Sequence, residues 1–312
     1  MKGPLFYSKI LLFGEYGIIK DSRGLSIPYN FYNGALKIDE LDSQEKIDSN
    51  QKLLNYVEHL TTIHHNTHIP VKFDLDALLA DLNKGMYFDS SIPQGYGVGS
   101  SGALVAAIYD KYATEKITVL ENLNQEKLQT LKTVFGEMES FFHGKSSGLD
   151  PLNSYLSLPI LINSKDNIEP AGIPSQTSSG KGAVFLLDSG KIGETAPMVN
   201  IFMENMKQEG FRKMIKDSFV KHTDACVENF LNGDVKTLFS NVKSLSKVVL
   251  ENFKPMIPKH FHDLWKHGLE TNSYYLKLCG SGGGGYMLGF TEDIEKAKAA
   301  LKGHNVEVVY NF

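Results

Sequence analysis

The chain has 312 residues and a net charge of -4, with 42% apolar, 22% charged and 11% aromatic residues. That length can bury roughly three quarters of the unfolded surface in one large or two smaller domains, so core size imposes no limit. The near-neutral balance excludes a basic nucleic-acid footprint, and no 18-residue apolar run is available to span a membrane; a cytoplasmic protein with a small-molecule partner is expected, as monomer or homodimer.

Leu5 to Ile19 is rich in β-formers and reads as strand, a turn at Gly14-Glu15, and further strand; Asn30 to Ile38 is the next strand. Ser43 to Ile63 spaces Ile47, Leu53, Leu54, Val57 and Leu60 as a helix does, behind an N-cap candidate in Ser43. Val71 to Leu75 and Met86 to Ile92 read as strands. Ala103 to Tyr112 is apolar at nearly every position, which predicts a helix buried on most sides. Asn124 to Phe142 is another helix, followed by a loop, Ser146 to Pro151, with a possible helix start. Leu158 to Ile162 and Ala183 to Asp188 are strands around a polar Ser/Gly/Pro stretch, Pro170 to Gly182, the best linker candidate. Thr195 to Thr271 reads as mostly helical, with breaks at Gly210, Asn232-Gly233 and Pro255 to Pro258. Tyr274 to Cys279 and Gly285 to Phe290 are strands flanking a glycine cluster; Thr291 to Leu301 is a helix and Val306 to Tyr310 a closing strand. Strands and helices mix in both halves, so the class is α+β.

The only arginines are Arg23 and Arg212, so any phosphate must be held by main-chain N–H groups and lysines. Cys226 and Cys279 lie in dissimilar contexts and read as buried thiols. The histidines at 59, 64, 65 and 68 lack metal-ligand spacing and read as a solvated loop.

The strongest signal is Pro93-Gln94-Gly95-Tyr96-Gly97-Val98-Gly99-Ser100-Ser101-Gly102-Ala103. Glycines at 95, 97, 99 and 102 let a ligand approach the backbone, and the run opens into a helix whose first N–H groups have no internal partner. Such an end binds phosphate, and Ser100 and Ser101 add hydroxyls for phosphate or Mg²⁺. Gly97 to Gly102 also satisfies the dinucleotide pattern G-x-G-x-x-G, but late in the chain and with no clear strand before Glu121-Asn122. No Gly-Lys-Ser/Thr ends the run, which excludes a Walker A loop; His-Arg-Asp and Asp-Phe-Gly are missing downstream, which excludes a protein-kinase loop.

The same run resembles the phosphate loop of the GHMP kinases, P-x-x-x-G-[LV]-G-S-S-[AG]-[AG]. Ser8-Lys9-Ile10-Leu11-Leu12-Phe13-Gly14-Glu15-Tyr16 is similar to their opening K-[IV]-[IL]-L-x-G-E-H segment. Lys277 to Gly285 is similar to their third motif, K-L-T-G-[AS]-G-G-G-G. Within the family, His143-Gly144-Lys145-Ser146-Ser147-Gly148-Leu149-Asp150 resembles the mevalonate kinase segment H-G-x-P-S-G-x-D, with Ser146 in place of Pro, and Glu139 stands where those kinases carry a Glu.

The resemblance implies a two-lobed α+β GHMP kinase fold, with a ribosomal protein S5 domain 2-like lobe over residues 1–175 and a ferredoxin-like lobe over 176–312. It implies transfer of the γ-phosphate of ATP, with Mg²⁺, to a hydroxyl of a small metabolite, and by the mevalonate kinase segment it points to mevalonate, 5-phosphomevalonate and isoprenoid synthesis. Asp150 would accept or polarise the hydroxyl proton, with Lys9 as its partner. Pro93, Gly95, Gly97, Gly99, Ser100, Ser101 and Gly102 would hold the nucleotide, and Ser101 and Glu139 the Mg²⁺. Glu15, Tyr16, His143, Thr195, Gly282 and Gly283 would lie near the acceptor. The residues alone also permit plainer readings: Asp150 as a helix N-cap before Pro151, and Glu139 as a solvated helix position. Tyr16 for the usual His and Ser146 for Pro bear on the substrate. Rivals are a phosphomevalonate or sugar kinase, a diphosphomevalonate decarboxylase, and a nucleotide-binding sensor without catalysis.

Overall fold

The computed structural model describes residues 3–120, 123–177 and 180–312. Glu121-Asn122, weighed above for a dinucleotide, and Ser178-Ser179 of the linker candidate lie outside the described residues. The chain divides into two compact units that interleave in sequence: Met1–Lys9, Ile27–Pro93 and Gly99–Leu158 form the first, and Ile10–Ser26, Gln94–Val98 and Pro159–Phe312 the second.

In chain order the elements up to residue 158 are β1 (Phe6–Phe13), β2 (Gly24–Ile38), α1 (Gln44–His65), β3 (Lys72–Phe73), α2 (Leu75–Asn83), β4 (Met86–Ser90), α3 (Ser100–Tyr112), β5 (Ala113–Thr114), α4 (Gln125–His143) and α5 (Leu149–Leu156). In the first unit β2 pairs antiparallel with β4, Gly34 opposite Ser90 and Ile38 opposite Met86. The N-cap reading of Ser43 holds, its hydroxyl accepting from the Lys46 amide; Asn124 caps α4 in the same way on Lys127. The predicted strand at Val71 to Leu75 is cut short, because Asp74 caps α2 through the Ala77 amide and turns the chain into a helix. Helix α3 is the core of this unit, as its composition required: every residue from Gly102 to Tyr109 is buried. Tyr109 of α3, Phe135 of α4 and Tyr155 of α5 meet edge to face, with centroids 4.9–5.5 Å apart. That triad locks the helices carrying the polar residues described below.

The second half contains β6 (Ile160–Ser164), β7 (Asn167–Pro170), β8 (Ala183–Asp188), α6 (Thr195–Asn205), α7 (Glu209–Met214), α8 (Lys221–Leu231), α9 (Val235–Asn252), α10 (His262–Thr271), β9 (Tyr275–Leu278), β10 (Tyr286–Thr291), α11 (Ile294–Ala300) and β11 (Val306–Asn311). A four-stranded antiparallel sheet runs in the order β11-β8-β10-β9. Together with the helices between β8 and β9, and α11 between β10 and β11, it has the β-α-β-β-α-β succession of a ferredoxin-like sandwich. The predicted break at Gly210 lies elsewhere. Gly210 sits in the first turn of α7, where an amide needs no intrahelical acceptor, and the chain breaks before Glu209. There the Arg212 guanidinium donates to the carbonyls of Met206 and Lys207. The strand expected after Gly14 is likewise absent: Gly17–Lys20 forms a 3₁₀ turn between Tyr16 and Asp21, both at positive φ. Trp265 is fully buried, its indole N–H donating to the Ser246 hydroxyl at 2.8 Å.

Cys226 and Cys279 are both buried and unbridged, and burial pushes the Cys226 thiol far above its ordinary range. Neither thiol is expected to react with Ellman's reagent in the native protein, and both should react once guanidinium unfolds it. Fast labelling of either in the native state would contradict this packing.

Candidate active site

The phosphate-loop candidate ends at the N-terminus of α3. Gly99 is the N-cap, in the left-handed conformation at φ 84°, and no side chain caps the helix. The amides of the first turn, from Ser100 onward, therefore have no intrahelical acceptor, and the positive end of the helix dipole is uncovered by any capping side chain. A Cβ at Gly99 would stand 3.0 Å from Cγ of Lys9, so the lysine stem packs on the bare backbone there. A Cβ at Gly102 would stand 2.7 Å from the carbonyl carbon of Asp150, so the absence of a side chain is what lets α3 and α5 approach this closely.

Five predicted polar residues of the first unit, Lys9, Ser101, Glu139, His143 and Asp150, come together beside this helix end, linked by the ion pair and hydrogen bonds described next. Lys9 Nζ lies 2.9 Å from Asp150 Oδ1; the lysine side chain is 4% exposed and the aspartate 39%. The pair is thus anchored at its cation and open at its carboxylate. Asp150 is not an N-cap: Gly148 holds that position, and Asp150 lies in the first turn of α5, where a negative charge suits the helix dipole. Nor is Glu139 solvated, since it is buried at 4% exposure. The Ser101 hydroxyl donates to its Oε1 at 2.8 Å, and the Ser146 hydroxyl donates to its Oε2. His143 Nε2 lies 3.0 Å from the Ser101 oxygen. A serine hydroxyl has one proton, already given to Glu139, so His143 must donate here from Nε2–H. Desolvation holds its imidazole below the usual range, which keeps it neutral.

Burial, and then the negative charge of Asp150, raise the Glu139 carboxyl to about 7, against the opposing pull of the two serine hydroxyls and Lys9. Such a carboxylate fits a cation that would restore its charge balance. Among the described residues no three His, Cys, Asp or Glu side chains are grouped to hold a metal unaided. Glu139 and Ser101 supply two hard oxygens, which suits Mg²⁺, an ion that keeps phosphate and water for its remaining positions.

The other predicted residues belong to the second unit, apart from Pro93, Gly99, Ser100 and Gly102, which fall in the first. Glu15 Oε1 forms a buried ion pair with Lys277 Nζ at 2.6 Å, and that ammonium also donates to the Leu278 carbonyl at 2.9 Å. Tyr16, at φ 59°, donates from its hydroxyl to the Ser281 carbonyl at 2.6 Å; burial and the adjacent Glu15 raise its phenol well above the ordinary range. Thr195 begins α6, with the Ser281 hydroxyl 3.4 Å away. Gly283 donates its amide to the Met256 carbonyl, and a Cβ at Gly282 would stand 2.6 Å from the same oxygen. The third motif also meets the loop: a Cβ at Gly97 would collide with the Cys279 carbonyl, and one at Gly280 would stand 3.2 Å from Gly97 Cα.

The family described as GHMP kinases N terminal domain matches residues 60–157. Over those residues the chain is similar to the N-terminal domain of the GHMP kinases. No curated protein matches the sequence. Solved structures share the fold along nearly its whole length. L. major mevalonate kinase in complex with R-mevalonate is 16% identical, covers 100% of this chain and 99% of its own, and has a TM-score of 0.65. Streptococcus pneumoniae phosphomevalonate kinase in complex with phosphomevalonate and AMPPNP is 12% identical over 98% of each chain, at 0.61. Lactococcus lactis galactokinase complexed with galactose is also 12% identical, over 98% of this chain and 94% of its own, at 0.60. The two-lobed α+β class expected of a GHMP kinase is therefore the fold observed.

Sequence reading gave Lys277 no role in this GHMP kinase fold, although its signal matches that of Lys9: a lone lysine inside an apolar strand. Ser146 was visible only as a departure from proline, with nothing in its spacing to aim it at Glu139.

The Glu139 carboxyl sits at about 7, against 4.5 for an unperturbed glutamic acid, so between those values the native state holds a proton that the unfolded chain releases. Its contribution therefore lowers stability as pH rises through that window, by no more than about 3 kcal/mol. Thermal unfolding without metal or nucleotide should show Glu139→Gln gaining on the native protein as pH rises through the window. A constant difference between the two would contradict the burial of the charge.

Proposed function

We propose that this chain is an ATP-dependent kinase that phosphorylates an alcohol, with mevalonate as the acceptor. The observation that carries the reading is the Lys9–Asp150 pair, a carboxylate fixed by a buried ammonium beside the uncapped N-terminus of α3. Free amides at a helix start suit the phosphates of ATP, and the Lys9–Asp150 pair supplies a fixed basic oxygen close by.

In this reading the loop from Gly95 to Gly102, entered at Pro93, holds the triphosphate through its main chain, with hydroxyls from Ser100 and Ser101. Glu139 and Ser101 would hold Mg²⁺, which when bound neutralises charge on the phosphates. The acceptor oxygen bonds to the γ-phosphorus while the bond to the β,γ-bridging oxygen breaks, and ADP leaves with that electron pair. Asp150 takes the acceptor's hydroxyl proton, and Lys9 holds the carboxylate in place. His143 holds the Ser101 hydroxyl toward Glu139, and Tyr16, Thr195, Gly282 and Gly283 belong with the acceptor. The division into lobes at residues 1–175 and 176–312, and a cytoplasmic place in isoprenoid synthesis, follow from the same reading.

The His143 to Asp150 segment and the mevalonate complex among similar folds favour mevalonate. One observation favours a different acceptor on the same scaffold: Glu15, expected near the substrate, is engaged by Lys277. A coupled ADP-release assay against mevalonate, phosphomevalonate, galactose and homoserine separates these readings. Mevalonate should give the highest kcat/KM, and ATP binding without turnover on any acceptor would favour a sensor. Asp150→Asn should leave Mg·ATP binding nearly intact and lower kcat by about a hundredfold or more, the loss expected for a general base. Near-normal turnover in that variant would refute the role of Asp150.

A further inference from the structure

Glu139 is a buried carboxylate with both oxygens engaged. An ionised carboxylate only accepts hydrogen bonds, so each serine hydroxyl must spend its single proton on it. The two donors are satisfied in turn from behind: His143 Nε2–H donates to Ser101, and the Gly148 amide donates to the Ser146 oxygen at 3.0 Å. Two directed chains thus converge on one carboxylate, and each bond polarises the next.

The Ser146 chain is built into the fold. Gly148 sits at φ 73°, and a Cβ there would collide with the Lys132 carbonyl of α4. A Cβ at Gly136, also on α4, would stand 3.2 Å from the Ser146 carbonyl. The loop is therefore seated on the helix that carries Glu139, seven residues before Ser146. A proline at this position, as in the motif the segment resembles, has no hydroxyl to offer. The link from residue 146 to the carboxylate is a property of this chain.

We propose that Ser146 is a positioning residue that orients the Glu139 carboxylate for a divalent cation. The inference rests on the nucleotide-site reading above. Ser101 has one lone pair committed to His143 and Glu139 has one acceptor direction on each oxygen committed to a serine. The directions that remain are fixed, so metal affinity depends on the second serine as well as the first. Threonine preserves the hydroxyl, alanine deletes it, and proline recreates the motif residue.

The test is a Mg²⁺ titration of binding to a fluorescent N-methylanthraniloyl ATP, with no acceptor present and no turnover. Ser146→Ala should raise the Mg²⁺ concentration at half-saturation about tenfold, while Ser146→Thr stays within about twofold of the native protein. Mn²⁺ should show the same order. Thermal unfolding of the metal-free variants controls for folding, and Ser146→Ala is the decisive variant if Ser146→Pro fails to fold. Half-saturation unchanged in Ser146→Ala, with native binding still Mg²⁺-dependent, overturns the inference and leaves the nucleotide site standing. Native protein that shows no Mg²⁺-dependent binding of the probe overturns the nucleotide site and the inference together.

Discussion

A buried ammonium needs an anion, and Lys9 is buried in a strand otherwise made of apolar and small residues. Placing a lysine there is unfavourable unless a carboxylate is held within reach, and the first unit supplies one in the opening turn of α5. That requirement fixes more than the pair. The start of α5 must lie against α3, which needs a residue without a side chain at 102. The lysine stem must cross the backbone at 99, which again needs glycine. The glycine loop and the acidic turn are thus two sides of one electrostatic constraint. Their proximity follows from it, whatever ligand the site takes.

Glu139 obeys a different rule. It lacks the close cation that Asp150 has, and its burial is compensated mainly by hydroxyls. Hydroxyl donors reduce the cost of a buried carboxylate without cancelling its charge, so the group sits between its two protonation states. A pair of carboxylates treated so differently within one cluster is suited to divided labour, one near a proton and the other near a cation.

Local chemistry made much of this legible beforehand. The burial of α3 followed from its continuous apolar run, and the cap at Ser43 from a side chain able to accept an amide. The Lys9–Asp150 pairing was expected from motif resemblance; the lysine alone fits equally well on a strand edge facing water. What escaped were effects of long-range contact. Glu139 stands between Glu137 and Ser140 on its helix with only Met138 apolar beside it, so its burial is decided by the loop at 146–148 and by Ser101. Asp150 before Pro151 looks like a cap until Gly148 is seen to take that place at positive φ. Glu15 looked free to meet a substrate because its counter-ion lies 262 positions away in the chain.

Trp265 is the only tryptophan in the chain, and it is fully buried in the second unit. Intrinsic emission excited at the red edge therefore comes from that unit alone. Changes confined to the cluster around Lys9, Glu139 and Asp150 would pass unseen in this channel, whereas loss of the ferredoxin-like sandwich would shift it to longer wavelength. The molecule carries a built-in optical label for one half of its architecture, so the order in which the halves melt can be read without attaching any dye.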